Sequence, residues 1–398
     1  MMKLNRTNWL IVLMVSIMPI CGFGVDIYTP SLPIITQVLG ASHALGKLTI
    51  SIFIMGFGIG QLFAGPLSDR FGRKIILMIS LLIFACASLL APLCTSIDAL
   101  LGVRLLQGLA VSGQVLNVRA IAADRFDGAE LRKVSIYITT AWTLSPVIGP
   151  FIGGYLQAYS GWHAGFYFLA VYSALLFVLV MIFLSESNCL RQSLAFKPLL
   201  NNYRLVLCDW GYMKNVLGLM LGYTMINTFN IFGPFIIQLQ MHHTSLFYAH
   251  TVLIIGCCCF FGSILNRLLV HRVKQKAIIY FCLCCMLSVS LVAGFIAEHV
   301  GNSLALLLTA VASIIFVAGM IYPHFSAMCS SMFKSMAGTA AALRGVFTMV
   351  GAAMLTGMMS LISLHSIVVL FVIYFVVASL MLMVFITSVK MNKLVLEI

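Results

Sequence analysis

Apolar runs broken by short polar stretches repeat along the whole chain. A helix that crosses a bilayer needs about 20 predominantly apolar residues. Twelve runs meet or approach that length: Trp9–Pro33, Leu48–Phe63, Ile75–Leu93, Asp98–Val118, Val134–Gln157, Ala164–Leu184, Val216–Gln238, Ala249–Leu269, Ala277–Ala297, Ser303–Phe325, Ala340–Leu361 and Ile367–Val389. The second is short, and His43–Leu45 extend it across Lys47. The pattern predicts an all-α polytopic membrane protein of twelve transmembrane helices.

The charges sharpen this reading. Only 8% of residues are charged, against about 25% in soluble domains, and 62% are hydrophobic. Neither a soluble globular chain nor a disordered one has that composition. A net charge of +13 would suggest nucleic acid in a soluble protein. Here the basic residues punctuate apolar runs instead of forming a stripe, so the bilayer is the expected partner and nucleic acid is not. All but two of the 23 Lys and Arg fall at alternate ends of the spans; the exceptions are Lys47 and Arg104. By the positive-inside bias, both termini are predicted to be cytoplasmic and the span count even. The first run has a basic start and an apolar core but no A-x-A-like cleavage site, so it reads as a retained helix.

The longest loop divides the chain near its middle. It predicts an amino-terminal six-helix bundle over residues 1–184, a cytoplasmic linker over 185–215 and a carboxy-terminal six-helix bundle over 216–398. Gly65-x-x-x-Asp69-Arg70 after span two is echoed by Gly262-x-x-x-Asn266-Arg267 after span eight, about half a chain later. The same offset carries Asp26 onto Tyr223.

Polar residues inside spans mark candidate function, because a charge at the bilayer centre costs about 2.5–3.5 kcal/mol on insertion scales. Asp26 and Arg104 are the charges deep in the amino-terminal half. At 1.5 Å per residue both sit about 9–11 Å from the outer surface, so they can share a layer. Pro19, Gly22, Asp26, Pro30 and Pro33 have helical spacing and share one stripe. Arg104, Gln107 and Gln114 share a face of span four, and Tyr223, Asn227 and Asn230 a face of span seven. With Tyr28 these are the candidate cavity residues; interhelical hydrogen bonding is the competing role for the span-seven stripe. No acid lies deep in a carboxy-terminal span, which puts any proton chemistry in the amino-terminal half.

Other polar and glycine-rich features of the chain do not point to binding chemistry. Gly56-x-Gly58-x-Gly60 lies within a span with no preceding strand and reads as close helix packing. The chain has no G-x-x-x-x-G-K-[ST] sequence, so no ATPase is expected. Its 12 Cys lack metal-ligand or disulfide spacing and read as small buried hydrophobes. Neither a metal nor a cofactor is expected. Seven of the nine His (His43, His163, His242, His243, His250, His299, His365) map to the outer side. No cluster of catalytic polar groups lies at an interface, so an enzyme is not expected.

Between spans two and three runs Gly65-Pro66-Leu67-Ser68-Asp69-Arg70-Phe71-Gly72-Arg73-Lys74. Gly65 and Gly72 permit a tight turn, and Asp69 can cap a helix start or pair with a base. This decapeptide resembles the signature loop of the major facilitator superfamily. Leu100-x-x-x-Arg104-x-x-Gln107-Gly108 resembles the superfamily's second motif. Pro146 and Gly149-Pro150-Phe151-Ile152-Gly153-Gly154 resemble its antiporter motif, with Ser145 where the motif has its first glycine. Asp26-Ile27-Tyr28-Thr29-Pro30-Ser31-Leu32-Pro33 is similar to the D-x-Y-x-P-x-L-P of the Bcr/CflA drug-resistance transporters. Arg119-Ala120 with Asp124-Arg125, Gly161-Trp162, Pro234 and Ala337-Gly338-Thr339-Ala340 fit that group, while His163 and Arg344 depart from it.

The resemblance implies the major facilitator fold, an inner-membrane location, a monomer, and proton-coupled export of small amphipathic drugs or metabolites by alternating access. Asp26 would take a proton when facing out, and proton loss would compete with substrate binding when facing in, with Arg104 beside it. Gly65, Asp69, Arg70, Gly72, Arg73 and Asp124 would form the cytoplasmic gate. An importer or facilitator of a small solute, or a siderophore exporter, on the same fold are the alternatives.

Overall fold

The computed structural model describes residues 6–188, 203–333, 337–363 and 366–394. Lys3, Arg191, Lys197, Lys334, His365 and much of the expected linker lie outside the described residues. The chain divides into two compact units, residues 1–195 and 196–398. The first holds α1 (Arg6–Ile17), α2 (Ile20–Asp26), α3 (Leu32–Val38), α4 (His43–Phe71), α5 (Arg73–Leu90), α6 (Ile97–Arg125), α7 (Gly128–Ser160) and α8 (His163–Phe183). The second holds α9 (Trp210–Phe235), α10 (Ser245–Leu269), α11 (Gln275–Val300), α12 (Leu304–Met332), α13 (Ala337–Ser360) and α14 (Ile367–Leu394).

Short polar residues start many of these helices. Ser42, Ser96, Asp209, Thr244 and Ser303 each accept a bond from a backbone N–H three residues on. Each bond satisfies one of the donors a helix start leaves without an intrahelical partner. The outward faces stay apolar: Val171, Leu175, Ile182, Phe261, Phe281 and Met383 are all exposed. That is the surface a bundle presents to lipid.

Among the described residues, 11 segments are long and apolar enough to cross a membrane. The fifth expected span lies within α7, a continuous helix of 33 residues that is not one of those 11. Its Ser135, Thr139, Thr140 and Thr143, with Pro146, Pro150 and its glycines, lower its apolarity without shortening it. With α7, the described helices supply the twelve predicted spans.

Two local expectations are corrected. Span one is not one regular helix. It reaches from Asn8 to Val38 but breaks before Ile20 and again at the 3-10 turn Thr29–Ser31. Pro19 precedes the second piece and Pro30 sits in the turn, where the missing N–H and fixed φ stop a regular helix. The Pro19-to-Pro33 stripe is therefore interrupted. Gly65 also lies inside α4, beside Pro66, and not in a turn. The turn is made by Gly72 alone, at φ 106°, a backbone shape that favours glycine.

Packing within each unit follows one plan. In the first, α4 against α6 is the most extensive helix pair; in the second it is α10 against α12. These are the second and fourth spans of each half, as an internal duplication predicts. Glycines bring both pairs close. A side chain on Gly56 would overlap the Leu105 carbonyl, and one on Gly108 the Phe53 carbonyl. In the second unit, Gly262 and Gly319 meet the Phe316 and Cys259 carbonyls in the same way.

Candidate functional site

Asp26 is the last residue of α2 and is 2% exposed. The break in span one places it against α7. A Cβ built on Gly149 would lie 2.7 Å from the Asp26 Cβ, and one on Gly153 would overlap the Ile27 carbonyl. Gly149 and Gly153 are thus the floor on which the Asp26–Ile27 backbone rests. Ser145, one turn earlier, is matched on the other side. A Cβ on Gly22 would overlap the Ser145 Oγ and stand 3.3 Å from the Asp26 Oδ2. The glycine missing from the α7 motif has its counterpart on α2: Gly22 yields the space that Ser145 occupies. Pro146 and Pro150 lie within α7, and Gly154 is buried beside Gly153.

Arg104 is fully buried in α6. Its Nη1 donates to the Gln107 Oε1 at 2.8 Å, and the Gln107 Nε2 donates to the Ser88 Oγ of α5 at 2.8 Å. Its Nε and Nη2 have no hydrogen-bond partner among the described residues. The guanidinium carbon lies 4.5 Å from the Tyr28 ring centroid and 4.4 Å from that of Phe53. Tyr28 is itself fully buried, with its hydroxyl bonded to the Thr49 Oγ1 and its ring 5.5 Å from that of Phe166. Asp26 and Arg104 occupy the same bundle, but Arg104 bonds to Gln107 and not to Asp26. Gln114 is also fully buried and donates from Nε2 to the Ser80 carbonyl at 3.1 Å. Gln107 and Gln114 therefore brace α6 to α5.

In the second unit, α9 carries Tyr223, Asn227 and Asn230. Both asparagines are buried, and the Asn227 Nδ2 donates to the Tyr223 carbonyl at 2.9 Å. Lys214, assigned to a loop by charge pattern, is buried near the start of α9, where its Nζ donates to the Thr387 carbonyl at 3.1 Å. Asn266 and His324 form a buried bond between α10 and α12, Nε2 to Oδ1, at 2.7 Å. Arg344 reaches from α13 to the Ser330 Oγ of α12 at 2.9 Å.

The corner between α4 and α5 is tied down by charge. The Arg73 Nη1 meets the Asp69 Oδ1 at 2.6 Å, and its Nε meets the Asp124 Oδ2 at 3.3 Å. Arg70 turns to the Phe71 ring at 5.2 Å. Asp69 pairs with a base and does not cap α5. That cap comes from Glu186, just beyond α8. Its two carboxylate oxygens accept from the Arg73 and Lys74 backbone N–H groups at 2.9 and 3.2 Å. Burial alone would raise the Glu186 carboxyl, but backbone N–H bonds from Asn188, Arg73, Lys74 and Ser187 outweigh it and hold the group below its ordinary value. Ser187 adds a bond to Asp124 at 2.8 Å, and the Arg125 Nη2 donates to the Glu186 carbonyl at 2.8 Å.

Sequence reading missed Glu186, Phe53, Ser88 and the Gly22–Ser145 match. Glu186 left a trace, as the one acid between Glu130 and Asp209. Phe53 left none, since one Phe in an apolar span looks like any other.

Residues 14–356 match the family model described as Major Facilitator Superfamily. The chain is 28% identical over 377 residues to the multidrug resistance protein MdtL of Shewanella oneidensis, covering 94% of each chain. It is 29% identical over 188 residues, 47% of each chain, to the bicyclomycin resistance protein homolog of Haemophilus influenzae. The fold matches the crystal structure of a D-xylose-proton symporter with a TM-score of 0.79, covering 96% of this chain and 97% of that one, at 14% identity. A family match over most of the chain, joined to twelve spans among the described residues and a duplicated second-to-fourth-span packing, identifies a multi-pass membrane transporter of small molecules: the chain belongs to the major facilitator superfamily.

Proposed function

We propose that this protein is a proton-coupled exporter of small amphipathic drugs or metabolites, working by alternating access of two six-helix halves, residues 1–184 and 216–398, joined by the segment 185–215. The observation that carries the reading is the placement of Asp26. A buried carboxyl ends a helix fragment at a proline-rich break and rests directly on the antiporter-like glycines Gly149 and Gly153. Protonation and loss of the proton change the charge of a group with no solvent shell. The backbone contacts then transmit that change to α7, because the α2–α7 contact leaves no slack for side-chain adjustment. The drug-resistance names of relatives such as the MdtL protein support an exporter of amphipathic compounds.

Arg104 keeps a fixed positive charge within the same bundle. Tyr223, Asn227 and Asn230 supply hydrogen-bonding groups for substrate in the second half, and Tyr28, Gln107 and Gln114 belong with Arg104 to the coupling side. The Asp69–Arg73–Asp124 cluster, closed by Glu186, acts as the cytoplasmic gate. We place the protein in a bacterial inner membrane as a monomer with both termini cytoplasmic.

The test is substrate-stimulated proton movement in inverted vesicles, native protein against Asp26→Asn, with chloramphenicol-like drugs, cationic dyes and an iron chelator. The expected result is proton release that the variant abolishes while substrate binding persists. Full uphill export by Asp26→Asn would defeat the coupling assignment. Solute equilibration without proton movement, in the native protein, would make it a facilitator.

A further inference from the structure

Arg104 is a fully buried cation whose bonded partners among the described residues include no carboxylate. A guanidinium has five N–H donors. Here one nitrogen bonds to Gln107, while Nε and Nη2 have no hydrogen-bond partner among the described residues. A buried charge is normally matched by an opposite charge or a full set of hydrogen bonds. What meets Arg104 instead is aromatic: two ring centroids within 4.5 Å of its guanidinium carbon. A ring face carries partial negative charge and attracts such a cation, more strongly where water is excluded.

The rings are built in place. Close contact of Gly108 with the Phe53 carbonyl fixes the α4 backbone against α6 just where Arg104 projects. Gly24 leaves room for the Phe53 ring, since a Cβ there would lie 2.7 Å from Cζ. Tyr28 is held by Thr49 through its hydroxyl and by Phe166 through its ring. Gln107 is anchored to Ser88, which donates to the Phe84 carbonyl at 2.7 Å. Three helices of the unit, α4, α5 and α6, and the break in span one converge on one guanidinium.

We propose that Tyr28 and Phe53 form a π cage that serves as the counter-charge of Arg104, making Phe53 a positioning residue for the coupling arginine. The cage has a property that a carboxylate lacks. A phenyl ring neither gains nor loses a proton, so it balances Arg104 equally at every stage of a proton cycle. A carboxylate partner would compete with Asp26 for the same protons. The proposal rests on the coupling role given to Arg104 above for its transport consequence, but not for its structural content.

The experiment replaces Phe53 in the full chain with mono-, di- and trifluorophenylalanine. Fluorination withdraws the ring's face charge while leaving its shape almost unchanged. Phe53→Leu, which removes the ring, is made alongside. Two readouts are taken: thermal unfolding in detergent, and substrate-driven proton movement in inverted vesicles. The cage predicts stepwise loss of thermal stability with each fluorine. It predicts a fall in transport rate to roughly a tenth with the trifluoro ring, the scale of a desolvated cation–π contact. A flat series, with trifluorophenylalanine as stable and as active as the native ring, would overturn it. If the native protein moves no protons, the coupling reading fails, and the unfolding series still decides the cage.

Discussion

Gly22 and Ser145 should behave as a swapped pair. A methyl group on Gly22 would overlap the Ser145 hydroxyl, lie 2.7 Å from its Cβ and stand 3.3 Å from the Asp26 carboxylate. Ser145 cannot easily retreat: its hydroxyl already donates to the Trp142 carbonyl at 2.8 Å, and helical side chains have few allowed rotamers. Overpacking of this kind costs about 1–3 kcal/mol, so Gly22→Ala should lose about that much. Ser145→Gly alone removes a small side chain and one local bond, and trades serine for the poorer helix former, for about 0.5 kcal/mol. In the double variant the overlap is gone, and alanine at 22 recovers up to about 1 kcal/mol of helix propensity. It should unfold within about 0.5 kcal/mol of the native protein, giving a coupling energy of about 1.5–3.5 kcal/mol between the two sites. The assay is thermal unfolding of the four proteins in one detergent at one pH, with transport measured in parallel. A double variant as unstable as Gly22→Ala would refute the idea that Gly22 supplies the space for Ser145.

Three further outcomes are expected. Gly65→Ala should be neutral or stabilising by up to about 1 kcal/mol, because Gly65 is helical with open space around its Cβ, whereas Gly153→Ala should abolish folding or transport because it meets the Ile27 backbone; expression and unfolding temperature check both. Glu186→Gln should cost about 0.5–2 kcal/mol, the range for a lost helix cap. Because folding holds the Glu186 carboxyl below its ordinary value of 4.5, its contribution is full at neutral pH and fades only as pH falls below that value; a native-minus-variant stability difference that persists unchanged at pH 3 would contradict the cap. His324→Ala should cost about 1–3 kcal/mol by leaving the Asn266 amide buried with a lost partner, while exchange of both for apolar residues of similar shape should recover most of it in denaturation experiments.

The features legible in the sequence were those with a one-dimensional signature. Span positions follow from apolar length, and the duplication shows as a spacing. Gly149 and Gly153 announce close packing by their interval, and the structure sets the Asp26–Ile27 backbone on them. What escaped was set by contacts between distant segments. Nothing near Glu186 in the chain indicates that its partner lies at Arg73, more than a hundred residues away. Asp69 could cap a helix or pair with a base on sequence alone, and at the end of α4 it pairs with Arg73. On sequence alone Gly65 suits a turn as well as a helix, because glycine serves both; the left-handed backbone of Gly72 separates the two cases. The regular stripe on span one failed for a related reason. Spacing counts residues as though a helix were unbroken, and prolines at 19 and 30 break it.

That break has a consequence for how the two deep charges relate. On a continuous helix, Asp26 and Tyr28 would point about 200° apart, since each residue turns about 100°. The chain uses both directions. The Asp26 side chain goes to α7 and its glycines, while Tyr28 goes to Arg104 on α6. The Thr29 hydroxyl donates to the Asp26 carbonyl at 2.8 Å across the break, joining the α2 end to the turn that carries Tyr28. A shift of Asp26 against Gly149 would therefore displace the segment that carries Tyr28, with no bond between the two charges. Coupling of the kind proposed above would be mechanical, passing through three residues of backbone. Stiffening or loosening the turn, as Thr29→Val would by deleting that bond, should then alter transport even though neither charge is touched. A fully active Thr29→Val protein, correctly folded, would show that the link runs elsewhere.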